Sequence, residues 1–85
     1  MPSQKPPPSP QRKRFGKNVA QLRKTLKFTQ WELAEAIDVD RRYIQGLEYG
    51  DYWPSLPVLA RLKQALDCDW EDLLEGCENS KPKKA

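Results

Sequence analysis

Three side chains that can donate hydrogen bonds to the acceptor atoms of a planar group lie together near the middle of the chain. Arg41 and Arg42 open a short segment with helical spacing, and Gln45 follows about one turn later. A cation at a helix N-terminus interacts unfavourably with the helix dipole and destabilises the helix by about a few tenths of a kcal/mol. Two adjacent cations there therefore indicate a binding function that offsets this cost. A guanidinium can donate two parallel hydrogen bonds to guanine O6 and N7. These residues are candidates for contacts to DNA bases or phosphates, and a solvated helix end without a partner is the alternative.

A preceding helix must hold this segment in place. Thr29 is followed three residues later by Glu32, which is the capping-box pattern of a helix start. The predicted helix begins at Gln30 and ends near Ile37, after barely two turns. Asp38 suits the following turn, because Asp tolerates a left-handed backbone better than most residues other than glycine.

The second helix of the pair has its own start and stop signals. Asp40 is a predicted N-cap, the helix runs from Arg41 to about Tyr49, and Gly50 ends it. Counted from Gln30, apolar or small residues occupy positions 4, 5, 8, 10, 15 and 18: Leu33, Ala34, Ile37, Val39, Ile44 and Leu47. This spacing predicts a helix-turn-helix, in which the second helix stands out far enough to enter a DNA major groove.

Three further helical patterns flank this pair, over about 14–27, 56–66 and 70–74. The apolar residues assigned to their buried faces include Phe15, Val19, Leu22, Leu26, Leu56 and Trp70. The sequence contains no strand pattern and no internal repeat. The predicted fold class is therefore all-α, a compact five-helix bundle containing a helix-turn-helix.

Composition divides the chain into three parts. Five of the eight prolines fall within the first ten residues, and the end of the chain is rich in lysine and poor in apolar residues. The sequence predicts a disordered, Pro-rich basic arm over 1–13, a DNA-binding domain over 14–76 and a disordered Lys-rich tail over 77–85. The small central domain needs compact packing or a partner subunit to be stable.

Charge is distributed unevenly along the sequence. Residues 1–30 contain eight Lys and Arg without an acid, whereas residues 31–78 contain four Lys and Arg against all twelve acids. Such a polar distribution is typical of a protein that turns one face toward a polyanion. A basic segment kept for solubility is the alternative.

The residue types that are missing exclude several functions. The chain has no histidine and two cysteines, so neither a Cys–His or Ser–His pair nor a four-ligand zinc site can be built. There is also no Gly-rich phosphate loop. We therefore expect no enzyme activity, no metal and no cofactor. The absence of a long apolar run predicts a cytoplasmic protein without membrane contact. Cys68 and Cys77 are expected to be free thiols in that compartment, and a disulfide between them is the alternative.

From Phe15 to Leu74 the chain resembles the phage repressor and Cro-like (XRE-type) helix-turn-helix family, whose fold is that of a lambda repressor-like DNA-binding domain. The resemblance rests on VAQLRKTLKFTQWELAEAIDVDRRYIQGLEYG, the following Pro54 and the closing LKQALDCDWEDLL. It implies binding to double-stranded DNA, at a palindromic operator, as a homodimer.

The family pattern assigns roles to individual positions. Arg41, Arg42 and Gln45 match base-reading positions. Thr29 and Gln30, at the start of the first helix of the motif, match phosphate contacts. Arg23 and Glu48 match a structural ion pair.

Further candidates come from the residues themselves. Tyr43 can pack its ring on the preceding helix while its hydroxyl reaches a phosphate, and the absence of a DNA contact is the alternative. Arg12, Lys13 and Arg14 form an arm that follows the DNA backbone or enters a minor groove, or else they attract DNA only loosely. Tyr52 and Trp53 form either a dimer contact or a lid over the corner after the recognition helix.

Two positions depart from the family pattern. Asp38 occupies the turn position at which the family usually has a glycine, and Gly46 occupies a position at which the family often has a base-reading side chain. We expect Gly46 to permit a close approach, at a cost of about 1 kcal/mol in helix propensity.

The function predicted is a sequence-specific DNA-binding transcriptional regulator, with a repressor as the expected form. The rival is an antitoxin-like interaction module that uses the same fold to bind a partner protein through its aromatic loop and acidic last helix. The role of Trp31 stays open, either along the DNA backbone or against the first helix.

Overall fold

The computed structural model describes residues 9–77, and within that range the chain forms five helices and no strand. They are α1 (Pro10–Thr25), α2 (Gln30–Ile37), α3 (Arg41–Tyr49), α4 (Leu56–Ala65) and α5 (Trp70–Leu74). This confirms the predicted all-α fold with a helix-turn-helix formed by α2 and α3. Residues 1–8 of the predicted arm and 78–85 of the predicted tail lie outside the described range.

Helix α1 begins four residues earlier than its apolar stripe predicts. Ser9 is the N-cap and accepts a hydrogen bond from the Arg12 backbone N–H at 3.1 Å, and Pro10 occupies the first turn. The prediction of a non-helical arm up to residue 13 is wrong for residues 10–13. Proline is well tolerated at the first helical position, because its missing N–H would have no partner there and its φ is already helical.

The turn between α2 and α3 has the geometry that the sequence predicts. Thr29 and Glu32 form the capping box at the start of α2, and Asp38 adopts the left-handed conformation with φ 62° and ψ 51°. Asp40 accepts a hydrogen bond from the Arg42 N–H at 3.0 Å. The structure adds Arg61 of α4, whose guanidinium donates to the Ile37 carbonyl at 2.9 Å and so holds the end of α2.

Ten apolar side chains, from all five helices and the C-cap of α4, form one buried core: Phe15, Val19, Leu33, Ala34, Ile37, Ile44, Leu47, Leu62, Leu66 and Leu73. Helix α1 lies very close to α3 at Gly16, where an added Cβ would overlap the carbonyl groups of Leu47 and Glu48. Only glycine permits this approach of the two backbones.

Three apolar side chains predicted to be buried are exposed instead: Leu26, Leu56 and Trp70. Leu26 is the C-cap residue that follows α1, and Leu56 is the first residue of α4, so neither lies over the core. Trp70 is the first residue of the five-residue α5, which inserts Leu73 into the core. The periodic pattern assigns these residues to the buried face, but a residue at the end of a helix extends beyond the core and is exposed.

The ion pair expected between α1 and α3 is present and nearly buried. The Arg23 Nε–Glu48 Oε2 distance is 2.7 Å, and the two side chains are 11% and 9% exposed. A second guanidinium nitrogen of Arg23 donates to Glu48 Oε1 at 3.0 Å, and a third donates to the Phe28 carbonyl at 2.9 Å. All three nitrogens of this guanidinium therefore have acceptors inside the fold.

Removing one member of this pair leaves a nearly buried charge without compensation. We expect Glu48→Ala to lower the free energy of unfolding by about 3–5 kcal/mol, measured by urea denaturation followed by circular dichroism. Glu35→Ala removes an exposed carboxylate from α2 and should cost within about 0.5 kcal/mol. Equal effects of the two substitutions would contradict a structural role for the pair.

Candidate nucleic-acid interface

Helix α3 buries one side and presents the other to solvent. Ile44 and Leu47 point into the core, whereas Arg42, Gln45 and Tyr49 are exposed. Residues 42, 45 and 49 recur at three- and four-residue intervals, so they share one face of the helix. Two of the predicted base-reading residues, Arg42 and Gln45, are thus brought together on an open helix surface.

Arg41, the third predicted base-reading residue, is in a different environment and is only partly exposed. Its guanidinium carbon lies 4.9 Å from the centre of the Trp31 ring, and its Nη1 lies 3.4 Å from Gln30 Oε1. The first residue of α3 is therefore held against the first turn of α2.

Gln30 connects Arg41 to the buried ion pair. Its Nε2 donates to Glu48 Oε1 at 3.0 Å, the same oxygen that accepts from Arg23. An uninterrupted series of contacts thus runs from α1 through α3 and α2 to Arg41. The predicted phosphate-contact residue Gln30 has both ends of its amide engaged within the protein.

The remaining predicted phosphate contacts near α2 differ in what their side chains do. Thr29 uses its hydroxyl to accept from the Glu32 N–H at 3.0 Å, and the residue is exposed beside the α2 N-terminus. Tyr43 is partly buried and stacks on Tyr52, with ring centroids 5.2 Å apart and planes at 20°. The Tyr43 ring thus packs against a tyrosine of the loop that follows α3, and a phosphate contact by its hydroxyl stays a prediction.

Tyr52 explains the absence of a side chain at position 46. The Tyr52 hydroxyl donates to the Tyr43 carbonyl at 2.7 Å, and a Cβ added to Gly46 would lie 2.5 Å from that hydroxyl oxygen. The close approach expected at Gly46 is therefore made by a residue of the protein's own loop. Tyr52 is therefore partly buried against α3 within the monomer.

Trp53 packs differently from Tyr52. Its ring centroid is 5.6 Å from that of Phe15, with a tilt of 52°, yet 47% of the residue remains exposed. This residue covers the start of α1 and keeps an apolar surface toward solvent. A dimer contact at this residue stays a prediction.

The basic residues of the first turns of α1 point in two directions. Arg12 Nε donates to the Gly50 carbonyl at 2.9 Å, and Lys13 lies against Gly50, so both are at the C-terminal end of α3. Arg14 instead faces α5, where it donates to the Glu75 carbonyl at 3.3 Å and lies 3.9 Å from the Glu75 carboxylate. The structure does not place these three residues on one extended arm.

The rest of the α1 charge is turned away from α3. Lys17 and Lys24 each follow a residue that contacts α3, so they lie about 100° around the helix. Both are exposed, and with Gln21 they line a shallow hollow on the outer surface. The expectation that the basic part of the sequence forms a single face is therefore only partly met.

Contacts from Trp31, Arg61 and Asn18 are not signalled by the sequence. Trp31 contacts Arg41, and Arg61 donates a hydrogen bond to the end of α2 at the turn. Asn18 Nδ2 donates to the carbonyls of Leu73 and Glu75 at 2.8 and 2.9 Å, which fixes the end of α5 on α1. No local signal could have identified these partners, because each lies far away along the chain or depends on a side-chain orientation.

Other kinds of site find little support in residues 9–77. That part of the chain contains no group of three or more acidic or cysteine side chains arranged to hold a metal ion. None of its helices has the length and apolarity required to cross a bilayer. Burial raises the pKa of the Cys68 thiol, and Asp72 raises it further, which disfavours the reactive thiolate.

The geometry matches a known family. A family model described as helix-turn-helix matches residues 19–73, which include α2, α3, α4 and most of the remaining fold. This chain belongs to the helix-turn-helix family.

Curated relatives of this helix-turn-helix chain carry the same description. An uncharacterized HTH-type transcriptional regulator of Methanothermobacter thermautotrophicus is 46% identical over 48 residues, covering 56% of this chain and 70% of that protein. The uncharacterized HTH-type transcriptional regulator YgzD of Bacillus subtilis is 33% identical over 55 residues, covering 65% and 83% respectively.

Two solved structures share the fold. The restriction-modification controller protein C.AhdI of Aeromonas hydrophila superposes with a TM-score of 0.68 at 33% identity, over 72% of this chain and 92% of that one. The clp gene regulator ClgR of Corynebacterium glutamicum gives a TM-score of 0.72 at 33% identity, over 81% and 72%.

The contact between Gly46 and Tyr52 should be visible as an energetic coupling. In the otherwise unchanged protein, Gly46→Ala gains about 1 kcal/mol of helix propensity but displaces Tyr52 from its stack and hydrogen bond. We expect the substitution to be about 1–3 kcal/mol more favourable in a Tyr52→Ala background, measured by urea denaturation. The same effect in both backgrounds would show that Tyr52 does not occupy the space beside Gly46.

Stability at high pH should report the environment of the Tyr52 phenol. Burial raises the pKa of Tyr52 above its ordinary 10.0, and Tyr43 and Asp51 raise it further. Since the unfolded chain loses this proton first, the contribution of Tyr52 is complete below pH 10 and declines as pH rises through the folded-state pKa.

We therefore expect Tyr52→Phe to be the less stable protein at pH 7, by about 0.5–1.5 kcal/mol for the lost hydrogen bond. Its deficit relative to the unchanged protein should shrink above about pH 10. Chemical denaturation at a series of pH values measures this difference. A deficit that stays constant through the alkaline range would argue against the raised pKa.

Proposed function

We propose that this chain is a sequence-specific DNA-binding regulator of transcription that places α3 in the major groove of its operator. The observation that carries the proposal is the exposed face of α3, on which Arg42 and Gln45 are open to solvent. Membership of the helix-turn-helix family and the regulators among its relatives support DNA binding and regulation.

The turn and the core hold α3 in a fixed orientation relative to the other helices. Asp38 closes the turn in a left-handed conformation, Arg61 holds the end of α2, and Ile44 and Leu47 fix α3 in the core. A helix held in this way can bring its first residues to the base edges without losing order in the backbone. We assign base contacts to Arg41, Arg42 and Gln45.

Phosphate contacts are proposed at both ends of the motif. Thr29, Gln30 and Tyr43 surround the first turn of α2 and the start of α3, where the family pattern expects one DNA strand. Lys13 lies beside Gly50 at the other end of α3, where its exposed ammonium can reach a phosphate. Arg12 and Arg14 are hydrogen-bonded within the protein and contribute chiefly through their charge.

The proposed mode of action is repression by occupancy, as a homodimer on a palindromic operator in the cytoplasm. Two copies related by a two-fold axis would place their α3 helices in successive major grooves, about 34 Å apart. The exposed apolar surface of Trp53 is the proposed dimer contact. Dimerization on DNA would add binding energy that one small reading helix does not supply.

An antitoxin-like interaction module is the second candidate. The exposed side chains of Trp53, Leu56 and Trp70 favour it, because large apolar side chains on a small surface are suited to protein contacts. A dedicated partner would copurify with the chain and occupy this surface. A palindrome protected from nuclease by the isolated chain would favour the DNA regulator instead.

The proposal is tested by comparing two substitutions that each remove one cation. We expect Arg42→Ala to reduce the preference for a selected duplex over a randomised pool about 5- to 150-fold, which corresponds to the 1–3 kcal/mol of a bidentate base contact. Lys24→Ala removes an exposed charge from the outer face of α1 and should weaken both duplexes slightly and equally. Fluorescence anisotropy across a salt series measures both ratios.

Loss of binding to both duplexes in equal proportion would reassign Arg42 to a phosphate. If the unchanged protein shows no preference for any duplex and salt alone abolishes binding, the regulator proposal fails. The exposed apolar residues would then direct the search to a protein partner.

A further inference from the structure

Trp31 is a large aromatic side chain that contributes nothing to the core. It is the second residue of α2, and 67% of it is exposed. Its one ring contact within residues 9–77 is with the Arg41 guanidinium, whose carbon lies 4.9 Å from the ring centre. A cation over the face of an indole is attracted by the negative potential of the ring, and tryptophan provides the strongest such site among the aromatic residues.

We propose that Trp31 is a positioning residue for Arg41, which it holds against the first turn of α2 before DNA arrives. The inference rests on the proposed function and deepens it. It gives Trp31 a role in recognition through Arg41, with the indole acting as a support for the guanidinium.

The hydrogen-bond geometry shows why the ring is needed. The Arg41 Nη1–Gln30 Oε1 distance is 3.4 Å, which is long for a hydrogen bond, so Gln30 alone holds the guanidinium weakly. Gln30 does set the direction: because its Nε2 donates to Glu48, its Oε1 is turned toward Arg41. The amide supplies orientation and the ring supplies most of the contact.

Arg42 shows what Arg41 would be without this support. Arg42 is exposed, and within residues 9–77 no hydrogen bond, ion pair or ring contact holds its guanidinium. An arginine of this kind must lose rotamer freedom when it binds, whereas a side chain already held in its bound position loses less. The two neighbouring arginines therefore have different roles, one preformed and one adaptable.

The first test requires no DNA. In the NMR spectrum of the free protein, the Arg41 side-chain protons should be shifted upfield by the Trp31 ring, and Trp31→Ala should move them to random-coil positions. Tyr49→Ala removes another exposed aromatic residue from α3 and should leave the Arg41 shifts unchanged. Arg41 shifts that do not respond to Trp31→Ala would overturn the proposal.

The second test is a double-mutant cycle on the selected duplex at low salt. Trp31→Ala should weaken binding about two- to five-fold, the range of one exposed cation–π contact, and should have no effect in an Arg41→Ala background. Trp31→Leu keeps apolar bulk but should behave like Trp31→Ala, whereas Trp31→Phe should restore part of the affinity. Tyr49→Ala should act additively with Arg41→Ala.

The outcomes separate the alternatives. If Trp31→Ala weakens binding equally with and without Arg41, the indole contacts DNA itself and the positioning role is wrong. It is also wrong if Trp31→Leu binds as tightly as the unchanged protein. Should the unchanged protein prefer no duplex, the proposed function fails, while the NMR shifts still decide whether Trp31 holds Arg41. Circular dichroism at each step confirms that the variants are folded.

Discussion

The hydrogen bonds accepted by the Glu48 carboxylate are the interaction on which the other parts of this fold depend. This carboxylate accepts hydrogen bonds from Arg23 of α1 and from Gln30 of α2 while belonging to α3, so it joins three of the five helices. A nearly buried ion pair of this kind adds little net stability over an apolar contact, because both charges must leave water. What it provides is direction, since a carboxylate with two fixed donors sets the orientation of α3 relative to α1 and α2.

The same constraint extends to the surface. Because Glu48 fixes the amide of Gln30, the Gln30 oxygen points to Arg41, and Arg41 lies over Trp31. On the other side of α3, Tyr52 occupies the space that a side chain at Gly46 would need. The helix is thus held at its start by α2 and along its length by the loop that follows it. Arg42 and Gln45 remain as its adaptable surface.

Fewer basic side chains of α1 lie at the proposed DNA surface than the composition of the sequence indicates. The acid-free α1 contributes Arg12 and Lys13 to the end of α3, commits Arg14 to α5, and turns Lys17 and Lys24 outward. Its helix geometry distributes side chains around the axis, so a block of like charges in the sequence becomes several surfaces in space. Under the proposed function, this outward part of the basic character would act at a distance, by attracting a polyanion without touching it.

The sequence by itself determined the helices, the turn and the family. Capping at Thr29 and Asp40, the left-handed Asp38 and the stop at Gly50 are local effects that depend on a few neighbouring residues. The apolar spacing likewise fixed most of the core and left Arg42 and Gln45 facing outward. Only the tertiary structure decided the contacts of Trp31, Tyr52 and Arg61 and the exposure of Trp70. Each depends on a partner distant in sequence or on where a helix ends against its neighbours, and side-chain spacing along one helix contains neither kind of information.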